Sequence, residues 1–155
     1  MKIVLLTTFI LIFMLINVYA GTIENIQKSC NAGNAKICWE LGNKYRFGMD
    51  VERDVFKSVK FYKKSCDMGN ENGCSALGIM YRLGEGVRQD YTKAKKIFTK
   101  LCNAKNLDGC YLLGIIYENG EGVKIDYAKA KEFYGKACDY GSEYGCKKYV
   151  NFNNR

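Results

Sequence analysis

Histidine and proline are absent from this chain of 155 residues, and tryptophan occurs once. Lack of histidine removes the commonest general base at neutral pH and the usual nitrogen ligand of zinc. Proton abstraction is left to Glu, Asp or a lysine of lowered pKa. The eight cysteines contain no Cys-x-x-Cys, the spacing expected of a redox centre. They also lack the close Cys-x2–4-Cys spacing of zinc sites. No metal and no cofactor is therefore expected.

Residues 1–20 differ from all that follows. Lys2 is their only charge, and Ile3 to Val18 is apolar apart from Thr7, Thr8 and Asn17. Val18-Tyr19-Ala20 offers a signal peptidase its small-residue site, so the segment reads as a signal peptide cut after Ala20. An uncleaved anchor is the competing reading, since the apolar run falls just under the spanning length. No cysteine follows the cut directly, which argues against a lipid anchor. A secreted or periplasmic chain is expected. Its formal charge of +8 favours acidic surfaces, anionic lipids or carboxylate ligands. Nucleic acid is not an expected partner of an exported protein.

The cysteines stand at positions 30, 38, 66, 74, 102, 110, 138 and 146, alternating separations of 8 and 28 for a period of 36. Other residues keep this register: Leu41-Gly42, Leu77-Gly78 and Leu113-Gly114; Tyr45, Tyr81 and Tyr117; Asp54, Asp90 and Asp126. Gly84-Glu85-Gly86-Val87 recurs as Gly120-Glu121-Gly122-Val123. Such self-similarity marks a repeat architecture. Each unit reads as two antiparallel helices. Cys74, Leu77, Gly78 and Tyr81 share one helical face, and the Gly-x-Gly turn ends that helix. Asp90 caps the next helix, whose apolar side is Ala94, Ile97, Phe98 and Leu101. Gly78 is expected to face Ala94 and let the two backbones approach closely. Asn34, Asn70, Asn106 and Ser142 are the matching caps of the first helices. In the first unit Asp50 replaces the second turn glycine and Ser58 replaces Ala94 and Ala130, so an altered turn is expected there. The units run 34–69, 70–105 and 106–141, between half-units at 22–33 and 142–155, inside a domain over 21–155. The fold class is all-α, an α-α superhelix of about eight short helices.

Two cysteines eight residues apart in one helix would lie about 12 Å apart, twice the Cα separation that a disulfide tolerates. The segment between them must reverse direction, and Cys-Asn-Ala-Gly at 30–33 and Cys-Asp-Met-Gly at 66–69 supply a turn glycine. The expected bridges are Cys30–Cys38, Cys66–Cys74, Cys102–Cys110 and Cys138–Cys146, each stapling the end of one unit to the start of the next. An even count behind an export signal agrees.

The pattern Cys74-x2-Leu77-Gly78-x2-Tyr81-x2-Gly84-x-Gly86-Val87-x2-Asp90-x2-Lys93-Ala94, closed by Cys102 and Cys110, resembles the cysteine-rich form of the Sel1-like repeat. It is similar to the secreted Helicobacter cysteine-rich proteins over residues 22–150. The resemblance implies a right-handed superhelix with a concave binding face. It also implies penicillin binding with slow β-lactam hydrolysis, secretion and host contact, and so a β-lactam, a peptidoglycan-like peptide, or an envelope or host protein as partner. The residues themselves single out no catalytic group. Ser-x-x-Lys, Ser-Asp-Asn and Lys-Thr-Gly are all missing. Ser29, Ser58, Ser65, Ser75 and Ser142 occupy positions that other units fill with other residues. The alternative is a non-catalytic scaffold, a monomer that binds peptides or proteins.

For that scaffold, positions one and five after each first-helix cysteine are the candidate groove contacts: Trp39, Asn43, Ser75, Ile79, Tyr111 and Ile115. They mix aromatic, amide and aliphatic groups, as a peptide groove does. Positions two and six are Glu40, Lys44, Ala76, Met80, Leu112 and Ile116, and are expected to pack between units. Lys60, Lys63, Lys64, Lys95, Lys96, Lys100 and Lys136 form a stripe on the second helices, read as a solvated convex face.

Overall fold

The computed structural model describes residues 22–153, so the expected signal peptide and its cut after Ala20 lie outside the described residues. Eight helices follow one another: α1 over residues 22–31, α2 (Ala35–Phe47), α3 (Val55–Asp67), α4 (Glu71–Leu83), α5 (Tyr91–Asn103), α6 (Leu107–Asn119), α7 (Tyr127–Asp139) and α8 (Glu143–Asn153). From α2 to α8 each packs on its chain neighbour, α2 also touches α4, and α1 joins this end through Ile26 and the Cys30–Cys38 bridge. Six of them have 13 residues, about 20 Å each. No described helix is long and apolar enough to cross a membrane.

Side-chain caps set the starts. Asn34, Asn70 and Asn106 accept from the amides of Ile37, Gly73 and Gly109. Asp54, Asp90 and Asp126 do the same for Lys57, Lys93 and Lys129, and Ser142 for Gly145. These bonds satisfy amides that a helix leaves unpaired at its first turn. The three Asp carboxyls lie below their ordinary pKa because they accept those backbone bonds. Each capping Asp also donates its own amide to the carbonyl of Tyr45, Tyr81 or Tyr117. The Lys of the same turn sits over that tyrosine's ring at 5.2–5.3 Å. One Asp-Lys-Tyr clamp thus closes each helix pair.

First helices end on Gly48, Gly84 and Gly120, all at φ near +70°. Two positions later the expectation of an altered first turn fails. Asp50 adopts φ 61°, beside 68° at Gly86 and 67° at Gly122. Aspartate tolerates this region better than most residues, and Lys44 Nζ holds its carboxylate at 2.6 Å. At the turns between units, Lys105 takes φ 62° where Gly33, Gly69 and Gly141 stand elsewhere. A lysine there costs about 1 kcal/mol of backbone strain.

Four disulfides join Cys30–Cys38, Cys66–Cys74, Cys102–Cys110 and Cys138–Cys146, with Cα atoms 4.4–4.8 Å apart. Each staples the end of one second helix to the start of the next first helix. Four such bridges place the folding of this chain in an oxidising, extracellular or periplasmic setting.

The glycine of each Leu-Gly pair receives an aromatic ring, which corrects the expected Gly78–Ala94 approach. A Cβ on Gly42, Gly78 or Gly114 would fall on the ring of Tyr62, Phe98 or Tyr134. Those rings sit four residues beyond Ser58, Ala94 and Ala130, one helical turn further along the second helix. The small residues are buried as well, but they make room beside the ring. Ser58 Oγ is buried, and no hydrogen bond within ordinary geometry reaches it among the described residues. The largest core cluster joins Ala94, Phe98 and Leu101 of the second unit to Leu112, Leu113 and Ile116 of the third.

Candidate binding surface

The two first-helix columns separate cleanly in the second and third units. Ala76, Met80, Leu112 and Ile116 are 0–9% exposed and pack between units. Their first-unit counterparts Glu40 and Lys44 are half-buried. The other column, one residue earlier, is half-buried at Trp39, Asn43, Ile79, Tyr111 and Ile115, with Ser75 buried. The periodic register brings these six side chains to the same face of α2, α4 and α6, the first helices of three successive units.

Trp39 packs against the core cluster that Tyr62, Ala76, Leu77 and Met80 form. Asn43 accepts from Tyr62 Oη at 2.7 Å, which fixes its amide. Burial pushes the Tyr62 phenol above its ordinary pKa. At the other end Tyr111 lies 5.5 Å from the Tyr134 ring and 6.3 Å from the Tyr144 ring. The Tyr134 hydroxyl donates to Glu118, whose carboxylate also takes Lys148 Nζ at 2.8 and 3.0 Å. Burial first, then the Glu118 carboxylate, drives the Tyr134 phenol far above its ordinary pKa. Tyr144, 70% exposed, extends this aromatic end. Sequence reasoning missed it because the trailing half-unit carries Tyr144 in the register of Asp108.

Sequence reasoning also missed the ion pairs that join units. Arg46 donates Nε and Nη2 to one oxygen of Glu85, and Arg53 Nη2 to the other. Arg82 Nη1 reaches Glu121 at 3.0 Å. Arg46 and Arg82 keep the 36-residue register, as Glu85 and Glu121 do, so periodicity alone held the signal.

A cavity of about 880 Å³ lies elsewhere, between α1, the first-unit turn and the start of α3. Ile23, Tyr45, Asp50, Glu52, Val55 and Phe56 line it together with neighbouring residues of those segments, and none of the six column residues does. The serines serve the fold: Ser65 Oγ donates to Ala35 O, Ser142 caps α8, and Ser58 is enclosed. No described serine has a base hydrogen-bonded to its hydroxyl, the arrangement nucleophilic catalysis requires.

Helix pairs stacked in register, stapled at the turns between units and carrying one largely half-buried column, define an α-helical repeat solenoid. The chain belongs to the Sel1 repeat family, whose model matches residues 35–70, 72–106 and 107–142. Solved structures agree. A Sel1 repeat protein from Oxalobacter formigenes is 27% identical over 84% of this chain and 98% of its own, with a TM-score of 0.70. Helicobacter pylori cysteine rich protein B is 29% identical over 83% of this chain and 92% of its own, at 0.62. A protective antigen of uropathogenic Escherichia coli with an SLR fold is 28% identical over 79% of this chain but only 26% of its own, at 0.74. No curated protein matches the sequence.

Proposed function

We propose that this chain is an exported binding scaffold that receives an extended peptide or protein segment along Trp39, Asn43, Ser75, Ile79, Tyr111 and Ile115. The observation that carries this reading is the half-buried state of five of the six column residues, all but Ser75. Asn43 and Tyr111 are held on their inner edge by Tyr62 and Tyr134, and the five keep part of their surface open. Rigid aromatic groups lose little entropy on binding, which suits them to anchor a partner. The membership in a family of interaction repeats agrees with it. The test is capture from envelope and host extracts by the oxidised mature chain, beside the Trp39→Ala/Tyr111→Ala double variant. A specific partner that the variant loses, with unchanged circular dichroism, supports the reading. Equal capture by both forms refutes it.

The resemblance to the Helicobacter cysteine-rich proteins carries a second reading, penicillin binding with slow β-lactam hydrolysis. The serine environments weigh against turnover. Nitrocefin and a labelled penicillin separate the cases: sustained turnover by the purified chain would defeat the scaffold-only reading. The export reading is tested by sequencing the mature amino terminus, expected at Gly21.

A further inference from the structure

Two positions on the second helices form an array with the 36-residue period. The first is Glu24, Lys60, Lys96 and Glu132, and the second, one helical turn on, is Lys28, Lys64, Lys100 and Lys136. At the two ends the array neutralises itself. Lys28 pairs with Glu24 at 2.9 Å and Lys136 with Glu132 at 2.5 Å. In the two middle units both positions are lysine, and Lys60, Lys64, Lys96 and Lys100 make no ion pair among the described residues. Lys64 instead donates to the Asn31 amide oxygen at 2.7 Å. Like charges one helical turn apart repel, so the centre of this face holds a repulsion that the end units avoid with one glutamate each.

The surroundings do not cancel that charge. Helix α5 carries Lys93, Lys95, Lys96 and Lys100 and no acid. Asp67 is held by Lys63 at 2.6 Å and Asp90 by Lys93 at 3.1 Å. Beside Lys60 and Lys64 a cleft of about 310 Å³ runs along Gln27 and Asn31, which offer amide groups. Lys60, Lys96 and Lys100 are exposed, and the one large exposed apolar side chain described on these two helices is Phe56, 74% exposed, one turn before Lys60 at the start of α3. Proteins that settle on bilayers combine cations with several apolar anchors; here Phe56 stands alone at one end of the array, and the rungs beyond it on α3 and α5 present cations without exposed large apolar neighbours.

We propose that the central lysine array on α3 and α5 binds a linear, sulfated or carboxylated polysaccharide, on a face distinct from the Trp39–Tyr111 column. A polyanion with charges repeated along its length meets successive rungs at once, and release of its condensed counterions drives binding. The amides of Gln27 and Asn31 then hydrogen-bond hydroxyls or sulfate oxygens beside Lys60 and Lys64.

The probe is heparin, titrated into the oxidised full chain over a salt series. The proposal expects binding that weakens steeply as salt rises. The Lys60→Glu/Lys96→Glu variant rewrites the middle units in the pattern of the ends, where Glu and Lys pair; its melting temperature holds or rises while heparin affinity falls at least tenfold. Arg88→Glu/Lys124→Glu makes the same charge change at exposed cations outside the array, and its affinity falls less than threefold. Equal losses in the two variants would reduce the effect to net charge and overturn the proposal. So would absence of heparin binding, or equal, equally variant-sensitive binding to phosphatidylglycerol vesicles.

Discussion

The junction between the first and second units and the junction between the second and third share one frame but close differently. At the first, Glu85 is gripped by two arginines, Arg46 and Arg53, and every polar atom of the carboxylate is used. At the second, Glu121 Oε1 takes Arg82 and Asn119, while Oε2 and Arg82 Nε are buried without partners among the described residues. One substitution in the repeat makes the difference. Gln89 stands where Arg53 stands, and it turns its amide to Arg82 O and the Tyr91 hydroxyl instead. Buried unpaired polar atoms cost more than a hydrogen bond gains, so a repeated backbone does not give junctions of equal strength. The chain's end shows the same lesson. Glu118 replaces the arginine of positions 46 and 82, and Lys148 of the trailing half-unit answers it.

The comparison is broken most severely by removing what the junctions share. Cys66–Cys74 staples the first and Cys102–Cys110 the second. Each nine-residue loop is worth about 2.5 kcal/mol, and the four bridges together on the order of 10 kcal/mol as an upper figure. Thiol reduction is therefore expected to unfold the protein or lower its melting temperature steeply, as followed by circular dichroism. In partly reduced protein, hydrogen exchange should show α6–α8 opening before α4 parts from α3.

Next comes the turn glycine that touches the preceding unit. A Cβ on Gly86 would lie 2.5 Å from the carbonyl oxygen of Val55, a backbone atom that cannot rotate away. Gly86→Ala is expected to cost about 3 kcal/mol in urea unfolding, combining the clash with positive φ. Gly122→Ala meets the Tyr91 Cβ at 2.6 Å, an atom that side-chain rotation cannot move, and is expected to cost a similar amount.

The carboxylates sharpen the contrast. Glu85→Ala removes the carboxylate shared by two arginines, of which Arg46 is only 18% exposed, and is expected to cost about 2 kcal/mol. Glu121→Ala is expected to cost about 1 kcal/mol, because its junction already lacks part of the pairing. Equal losses would contradict the asymmetry. In the opposite direction, Gln89→Arg offers Glu121 Oε2 the second arginine and should raise stability by about 0.5–1 kcal/mol.

The smallest effect falls on both junctions alike. Asp54, Asp90 and Asp126 have pKa values held down chiefly by the backbone amides they cap. A carboxylate depressed in the folded state adds stability above its unfolded pKa, and that stability drains as pH falls through the folded value. Below about pH 4 the protein should weaken. Exchanging the three for asparagine, which caps as Asn34, Asn70 and Asn106 already do, should flatten that acid limb in urea titrations.

Much of this molecule could be read from spacing. The caps, the turn glycines and the helix pairs follow from residues within a dozen positions of one another. The altered turn expected at Asp50 did not form, because a left-handed position depends on backbone geometry that aspartate also tolerates. Lys105 went unnoticed for the same reason. The expected meeting of Gly78 with Ala94 named two correct small residues and the wrong pair, since spacing does not say how far along its neighbour a helix is shifted. Tyr144 escaped because the trailing half-unit leaves the repeat's pattern.

The amino-acid sequence by itself determined the unit length, the class of fold and where each helix begins and stops, because those depend on local hydrogen bonds and side-chain periodicity. Tertiary structure alone decided that Phe98 fills the space over Gly78, that Glu85 gains two arginines where Glu121 gains one, and that one column stays half-open. Those outcomes rest on how helices distant in sequence slide against each other, and packing between units settles that offset.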